Sequence, residues 1–314
     1  MGMARVAAID CGTNSIRLLI ADLVEGKLRD VHREMRIVRL GQDVDATGRL
    51  AVDALERTRV ALADYAAIAR RASAERIRMV ATSATRDAAN REDFFTMVRH
   101  TLGTDAEVIT GDEEAQLSFT GAVGSLDPGD GPFVVVDVGG GSTEVVLGDW
   151  DGSRVDVTAA RSVNVGCVRI TERHLRSNPP TPDEVSAAER FAVQTLQDAF
   201  ADVPVDKART WVGVAGTITT LSAVAQQLPA YDPERTHLSR LSSGQLRCTA
   251  KALLASTHQQ RAANLAIHPG RVDVIAGGAL IVQVLAEELR ARAGIGELVV
   301  SEQDILDGIA LGLD

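Results

Sequence analysis

Two long stretches of this sequence match each other. The stretch "VAAIDCGTNSIRLLIADLVEGKL", which begins at Val6, aligns without a gap with "FVVVDVGGGSTEVVLGDWDGSRV", which begins at Phe133, at an offset of 127 residues. Each copy has an apolar run, a polar turn with glycine, a second apolar run and a second turn, "VEGK" or "WDGS". This order predicts strand, turn, strand, turn, strand. Because a repeat at a fixed offset indicates a duplicated structural unit, we predict two similar domains.

The chain outside the two copies alternates between helical and strand patterns. After the first copy, apolar spacing predicts helix, strand, helix, strand and helix at residues 50–72, residues 76–83, "TRDAANREDFFTMVRHTL", "AEVIT" and "GDEEAQLSFTGAV". The second half is richer in helix, and its predicted elements include "PTPDEVSAAERFAVQTLQDAFADV", the strand at residues 209–216, "TITTLSAVAQQL", "VDVIAGGALIVQVLAEELRARA", the strand "GELVVS" and a final helix "EQDILDGIALGL". The predicted fold class is therefore α/β.

The segment at residues 125–133, "SLDPGDGPF", combines Pro, Gly and Asp and is typical of a linker. We therefore predict a first domain over residues 1–126 and a second over residues 127–301. A terminal helix that follows a strand commonly packs back on a sheet, so the first domain can also include residues 302–314.

Composition excludes several classes of function. The chain has 314 residues, a formal net charge of -10 and only 3% aromatic residues, which argues against a broad nucleic-acid or anionic-membrane surface. The sequence has no apolar run of the roughly 18 residues that a membrane span needs. Cys11, Cys167 and Cys248 are scattered and show no zinc-ligand spacing. We expect a cytoplasmic protein that binds neither nucleic acid nor membrane.

The two polar turns have the composition of phosphate-binding loops. Glycine lets an oxyanion approach the backbone N–H groups closely, and neighbouring hydroxyl and amide side chains add donors. An aspartate precedes each turn, Asp10 in the first copy and Asp137 in the second. A carboxylate beside phosphate usually implies a hard cation such as Mg²⁺. One copy alone also fits a simple hairpin, but two copies at a fixed offset favour phosphate binding.

Three further positions carry candidate chemistry. Arg86 lies at a strand-to-helix junction, where a helix N-terminus favours anions. The acids of "GDEE", Asp112 to Glu114, begin a helix, and complementing the helix dipole explains two of the three. Glu144 lies inside a predicted strand where the first copy has Arg17, and a strand-borne glutamate among apolar neighbours is costly unless it binds metal or polarises water.

With these residues assembled, the chain resembles the exopolyphosphatase / guanosine pentaphosphate phosphohydrolase (Ppx/GppA) family, of the actin, sugar-kinase and Hsp70 ATPase superfamily. The matching stretches run in order along nearly the whole chain and include "AAIDCGTNSIRLLIAD", "ATSATRDAANRED", "VITGDEEAQLSFTGA", "VVVDVGGGSTEVVLG", "NVGCVRITERHL", "WVGVAGTITTL" and "RVDVIAGGALI". The resemblance implies two ribonuclease-H-like (actin-like ATPase) domains with an active-site cleft between them.

The resemblance also implies roles for individual residues. Glu114 is expected to be the base that activates water, and Glu144 a second catalytic carboxylate. Asp10, Asp137 and Glu144 are expected to hold Mg²⁺ or another divalent cation. The expected phosphate contacts are Gly12, Thr13, Asn14, Ser15, Arg17, Arg86, Gly139, Gly140, Gly141, Ser142, Gly216 and Thr217.

The activity implied by the resemblance is Mg²⁺-dependent release of terminal orthophosphate from inorganic polyphosphate. Hydrolysis of the 5'-phosphate of guanosine pentaphosphate (pppGpp) is the alternative, and a non-enzymatic sensor of phosphate ligands is less favoured. Longer members of the family continue into a further helical domain, so the chain resembles the short form, and its preferred polyphosphate length stays open. The family also implies a homodimer.

Overall fold

The computed structural model describes residues 4–313. Contacts between residues divide the chain into two compact units. The first unit extends to Gly121 and resumes at Ile305, and the second unit spans Ala122–Asp304.

The strands of the described chain are β1 (Ala4–Cys11), β2 (Ser15–Val24), β3 (Lys27–Ile37), β4 (Arg76–Ala81), β5 (Ala106–Val108), β6 (Phe133–Val138), β7 (Thr143–Trp150), β8 (Val155–Val163), β9 (Thr210–Val214), β10 (Arg240–Ser242) and β11 (Glu297–Val300).

The α-helices are α1 (Val44–Thr47), α2 (Val52–Arg71), α3 (Ser83–Asp87), α4 (Arg91–Leu102), α5 (Gly111–Val123), α6 (Cys167–His174), α7 (Pro182–Asp202), α8 (Ala215–Ala225), α9 (Pro233–Thr236), α10 (Ser243–Ala255), α11 (His258–Ala262), α12 (Ile275–Ala293) and α13 (Ile305–Leu311). Within residues 4–313, no helix is both long enough and apolar enough to cross a membrane.

Each unit is built on one mixed sheet that begins with a three-stranded antiparallel meander. In the first unit the strand order is β3-β2-β1-β4-β5, with β1, β4 and β5 parallel. In the second unit the order is β10-β11-β9-β6-β7-β8, with β6, β9 and β11 parallel. Since the two meanders contain the two copies of the repeat, the predicted α/β class with a ribonuclease-H-like sheet in each half is confirmed.

The meander of the first unit follows from local turn chemistry. Glu25 and Gly26 join β2 to β3 with φ angles of 52° and 75°. Positive φ at both central residues is the requirement of a type I′ hairpin turn, whose twist matches that of paired strands. The predicted hairpin at "VEGK" is therefore confirmed.

Helices cover both faces of the first sheet. On one face, the apolar side chains of α2 and α4 pack against alternate residues of β1 and β2. On the other face, α13 packs against the remaining residues of these strands, together with Ile109 and Leu117. In the second unit, β6 is buried along its whole length, as expected of a central parallel strand, and α7, α8, α10 and α12 contribute to its core.

Two predicted helices differ from the observed ones. The helix predicted over "TRDAANREDFFTMVRHTL" is broken between α3 and α4, because Ala88 is extended and the Asn90 side chain hydrogen-bonds the N–H and C=O of Leu50. The last helix begins at Ile305 rather than at Glu302. The Glu302 carboxylate accepts hydrogen bonds from Tyr231 and Thr236, which hold it outside the helix.

Candidate active site

The two predicted phosphate turns have the same backbone structure. Each joins the first two strands of its meander, and the same hydrogen bond closes both. Gly12 N donates to Ser15 O at 2.9 Å, and Gly139 N donates to Ser142 O at 3.1 Å. Thr13 is buried, and its Oγ1 has no hydrogen-bond partner among residues 4–313. Ser142, which aligns with Ser15 in the repeat, is also buried.

The first turn is flanked by an ion pair. Asp10 on β1 lies directly opposite Arg17 on β2. Arg17 donates from Nε and Nη2 to Asp10 Oδ2, at 3.0 and 2.7 Å. Asp10 is only 5% exposed, so Arg17 supplies the charge that stabilises this buried carboxylate. Arg17, which the sequence predicts as a phosphate contact, is bound to the predicted metal ligand Asp10.

A second ion pair joins α3 to α5. Arg86 Nη1 donates to Glu114 Oε2 at 2.6 Å and to the carbonyl of Ile109 at 3.0 Å. Among the three acids of "GDEE", Glu114 alone is buried. Asp112 is exposed, and Glu113 forms an ion pair with Arg78 on the surface. Burial therefore distinguishes Glu114 from its neighbours, a distinction that the sequence offered only through family resemblance.

The environment of Glu114 suits a general base. Burial raises the pKa of Glu114 to about 7, while the charge and hydrogen bond of Arg86 and a hydrogen bond from Thr82 oppose this rise, and nearby Asp10 adds to it. A base whose pKa lies near the working pH combines a large deprotonated fraction with a strong affinity for the proton. We call Asp10, Thr13, Arg17, Arg86 and Glu114 the first cluster.

The second turn is flanked by two carboxylates and a hydroxyl. Asp137 on β6 lies opposite Glu144 on β7, and Glu144 lies opposite Ser162 on β8. Asp137 is 6% exposed and Glu144 is 1% exposed. Ser162 Oγ donates to Glu144 Oε1 at 2.7 Å. We call Asp137, Ser142, Glu144 and Ser162 the second cluster.

The second cluster has a donor set that fits a magnesium ion. Like charges directly opposite each other on paired strands are destabilising, and a divalent cation at Asp137 and Glu144 would remove that repulsion. Within the described part of the chain, no group of three or more His, Cys, Asp and Glu side chains is arranged to hold a metal. Mg²⁺ commonly binds through one or two carboxylates and takes its other ligands from water and substrate phosphate.

Gly216 and Thr217 lie where β9 passes into α8. The guanidinium of Arg271 lies against Gly216, where a Cβ would come within 1.5 Å of Arg271 Nη1. Arg271 also donates to Thr220 at 3.4 Å. The Thr217 side chain is buried.

The sequence did not single out three polar residues of these sites, namely Thr82, Ser162 and Arg271. Ser162 lies on the third strand of its meander, and its contact with Glu144 depends on a register shift between Leu147 and Gly148. A sequence pattern does not fix such a shift. Arg271 is far along the chain from the turn that it covers, and so only the tertiary fold reveals it.

Comparison with known proteins gives consistent results. Residues 19–312 match the Ppx/GppA phosphatase family. The protein called exopolyphosphatase 2 in Mycobacterium tuberculosis is 58% identical, over 100% of this chain and 99% of that protein. The crystal structure of an exopolyphosphatase-like protein superposes with a TM-score of 0.95 at 42% identity, covering 99% of this chain and 98% of that one. A Ppx/GppA family member from Aquifex aeolicus superposes with a TM-score of 0.80 at 33% identity, covering 99% and 97%.

Proposed function

This chain belongs to the Ppx/GppA phosphatase family, and we propose that it is an exopolyphosphatase, which releases terminal orthophosphate from inorganic polyphosphate. The observation that carries the proposal is Glu114, a buried carboxylate whose pKa is raised to about 7 and which Arg86 holds in place. The choice of substrate is supported by the relative called exopolyphosphatase 2, which is similar over its whole length.

The proposed reaction is in-line attack of water on the terminal phosphoryl group. Glu114 takes a proton from the water, the water oxygen forms the new bond to phosphorus, and the anhydride bond to the next phosphate breaks. The departing chain keeps the bridging oxygen as an anion. In such reactions positioning and neutralisation of charge lower most of the barrier. The N–H groups of the two glycine turns are proposed to bind the phosphate oxygens.

A divalent cation is part of the proposal, with Asp137 and Glu144 as its protein ligands. When bound, it would neutralise phosphate charge. Asp10, also predicted as a metal ligand, is paired with Arg17, and this pairing favours an electrostatic role for Asp10. The homodimeric state and the cytoplasmic location expected from the sequence stay predictions.

The experiment that tests this function is an assay of phosphate release from tripolyphosphate, long-chain polyphosphate and pppGpp, each with and without Mg²⁺. We expect release from polyphosphate that requires Mg²⁺, with pppGpp as the poorer substrate. Preference for pppGpp would favour the alternative activity. Binding of phosphates without any release would instead indicate a sensor.

A matched pair of variants assigns the base. Glu114→Gln is expected to lower kcat about 10²–10⁴-fold, which is the usual contribution of a positioned base. Glu113→Gln, one residue away and on the surface, is expected to leave phosphate release unchanged. Equal activity of the Glu114 variant and the wild-type protein would overturn the role of Glu114.

A further inference from the structure

The carbonyl groups of the three glycines in the second phosphate turn, Gly139 to Gly141, all accept hydrogen bonds from one side. Cys167 N donates to Gly139 O at 2.9 Å, and Val168 N and Arg169 N donate to Gly140 O at 2.9 and 3.2 Å. The Arg169 side chain completes the set, with Nε donating to Gly141 O at 2.8 Å. Every donor comes from the first turn of α6.

Binding the carbonyls fixes the direction of the amides. In a trans peptide the C=O and the following N–H point in opposite directions across the peptide plane. With the carbonyls of Gly139, Gly140 and Gly141 held toward α6, the N–H groups of Gly140, Gly141 and Ser142 are directed away from it. Successive N–H groups directed to one side form the concave arrangement that binds anions.

The first unit has the corresponding arrangement. Gly41 N donates to Thr13 O at 2.8 Å, and Val38 N and Arg39 N donate to Asn14 O at 3.0 and 2.9 Å. The hydrogen bond from Gly41 N to Thr13 O corresponds to the one from Val168 N to Gly140 O, because donors and acceptors are each 127 residues apart. Both turns are thus supported by the segment that follows the third strand of the meander.

Gly166 makes this support possible by allowing very close packing. A Cβ at Gly166 would lie 2.4 Å from Gly140 O, 2.5 Å from Gly140 C and 2.6 Å from Gly141 N. These are backbone atoms of the turn and cannot rotate away. Since φ at Gly166 is -150°, the requirement for glycine is one of space and not of backbone conformation.

We propose that Gly166 and Arg169 are positioning residues for substrate binding, which hold the Gly139–Ser142 turn so that its amides face the phosphate. This inference rests on the proposed function, because it assigns the turn to the substrate. A purely structural role for α6 would change stability alone, whereas a positioning role changes affinity for phosphate.

The test compares Arg169→Gln and Arg169→Lys with Arg176→Gln, which removes the same charge from an exposed position near the end of α6. The measurements are KM and kcat for tripolyphosphate, the inhibition constant of inorganic phosphate, its binding constant by calorimetry, and the melting temperature. Arg169→Gln is expected to raise KM and both phosphate constants about tenfold, with a smaller fall in kcat. Lysine is expected to restore part of the affinity because its ammonium can donate to Gly141 O.

Gly166→Ala, with Gly296→Ala as its control, is expected to weaken phosphate binding further. A Cβ at Gly296 has no atom within 4 Å. The proposal is overturned if the phosphate constants of Arg169→Gln stay within twofold of those of Arg176→Gln, whether or not the melting temperature falls. If the wild-type protein hydrolyses no polyphosphate, the proposed function fails, and the calorimetric affinity for phosphate still decides the role of Arg169.

Discussion

The two meanders place three residues in line across their strands, and these residues differ in chemistry. In the first unit the line is Asp10, Arg17 and Met35, and in the second unit it is Asp137, Glu144 and Ser162. The backbone is the same, and each residue is matched by the one 127 positions later. The difference is one of charge. The first line contains one carboxylic acid and one arginine, whereas the second contains two carboxylic acids and a serine hydroxyl.

This difference separates two ways of stabilising buried carboxylates. In the first cluster each acid has its own arginine, Arg17 for Asp10 and Arg86 for Glu114. In the second cluster the two acids face each other, and the serine donates to one of them. Two carboxylates on facing strands offer a divalent cation two oxygen ligands at one place. The second cluster is therefore the better candidate for a metal site. The first cluster is the better candidate for the general base, which acts there without a bound metal ion.

The largest effect is expected from removing one acid of the second cluster. Glu144→Gln should lower phosphate release by roughly 10²–10⁴-fold, because it removes a candidate catalytic carboxylate and metal ligand.

The control for this variant is Asp198→Asn, which changes the net charge equally at an exposed position of α7. Full activity of Glu144→Gln would remove the contrast between the two meanders.

The next largest effect is expected from changing Arg86, the arginine that is paired with Glu114. Arg86→Gln removes the positive charge that keeps the pKa of Glu114 from rising further, so that pKa should increase by about one and a half to two units. Since the base acts in its deprotonated form, the acidic limb of kcat/KM should move from about pH 7 to higher pH, and activity at neutral pH should fall roughly 30-fold. Part of the loss should be recovered at alkaline pH.

Arg91→Gln provides the control, because Arg91 is exposed at the start of α4. A pH profile of Arg86→Gln with an unmoved acidic limb would separate Arg86 from Glu114, and would favour the direct phosphate contact that the sequence predicts for Arg86.

How far the sequence predicts this molecule depends on the distance over which its residues interact. The repeat predicts both meanders and places Glu144 on a strand, at the position that Arg17 has in the first copy. Apolar spacing predicts α5 with its correct bounds. These features depend on neighbouring residues or on the single offset of 127 residues between the two copies of the repeat. The ion pair of Arg86 with Glu114 joins two helices, and the support of the second turn by α6 joins segments that no shared periodicity links. Such contacts follow only from tertiary packing.

The roles assigned to arginine illustrate the same point. The family resemblance implies that Arg17 and Arg86 are phosphate contacts, and the position of Arg86 at a strand-to-helix junction is also typical of anion sites. In the structure both guanidinium groups are hydrogen-bonded to buried carboxylates of the first cluster. A sequence shows the charges that a site contains, whereas only the fold shows which of them are paired.

A smaller effect is expected at Ser162, which lies in line with Asp137 and Glu144 across the second meander. Ser162→Ala removes the hydrogen bond to Glu144 Oε1, and should lower phosphate release about tenfold, in proportion to one hydrogen bond to a charged group. Ser125→Ala is the control, because it removes a serine hydrogen bond to the neutral side chain of Gln303 in the same unit. Equal effects of the two substitutions would show that Ser162 does not orient Glu144.

The central claim is that the second cluster, with its two facing acids, holds the cation, while Asp10 is neutralised by Arg17. Binding of Mn²⁺, followed by electron paramagnetic resonance, tests this claim without any need for activity. We predict that Glu144→Gln weakens Mn²⁺ binding at least about tenfold, in line with the loss of one of two carboxylate ligands, and that Asp10→Asn changes it little. Unchanged binding by Glu144→Gln, or an equal loss in Asp10→Asn, would contradict the account.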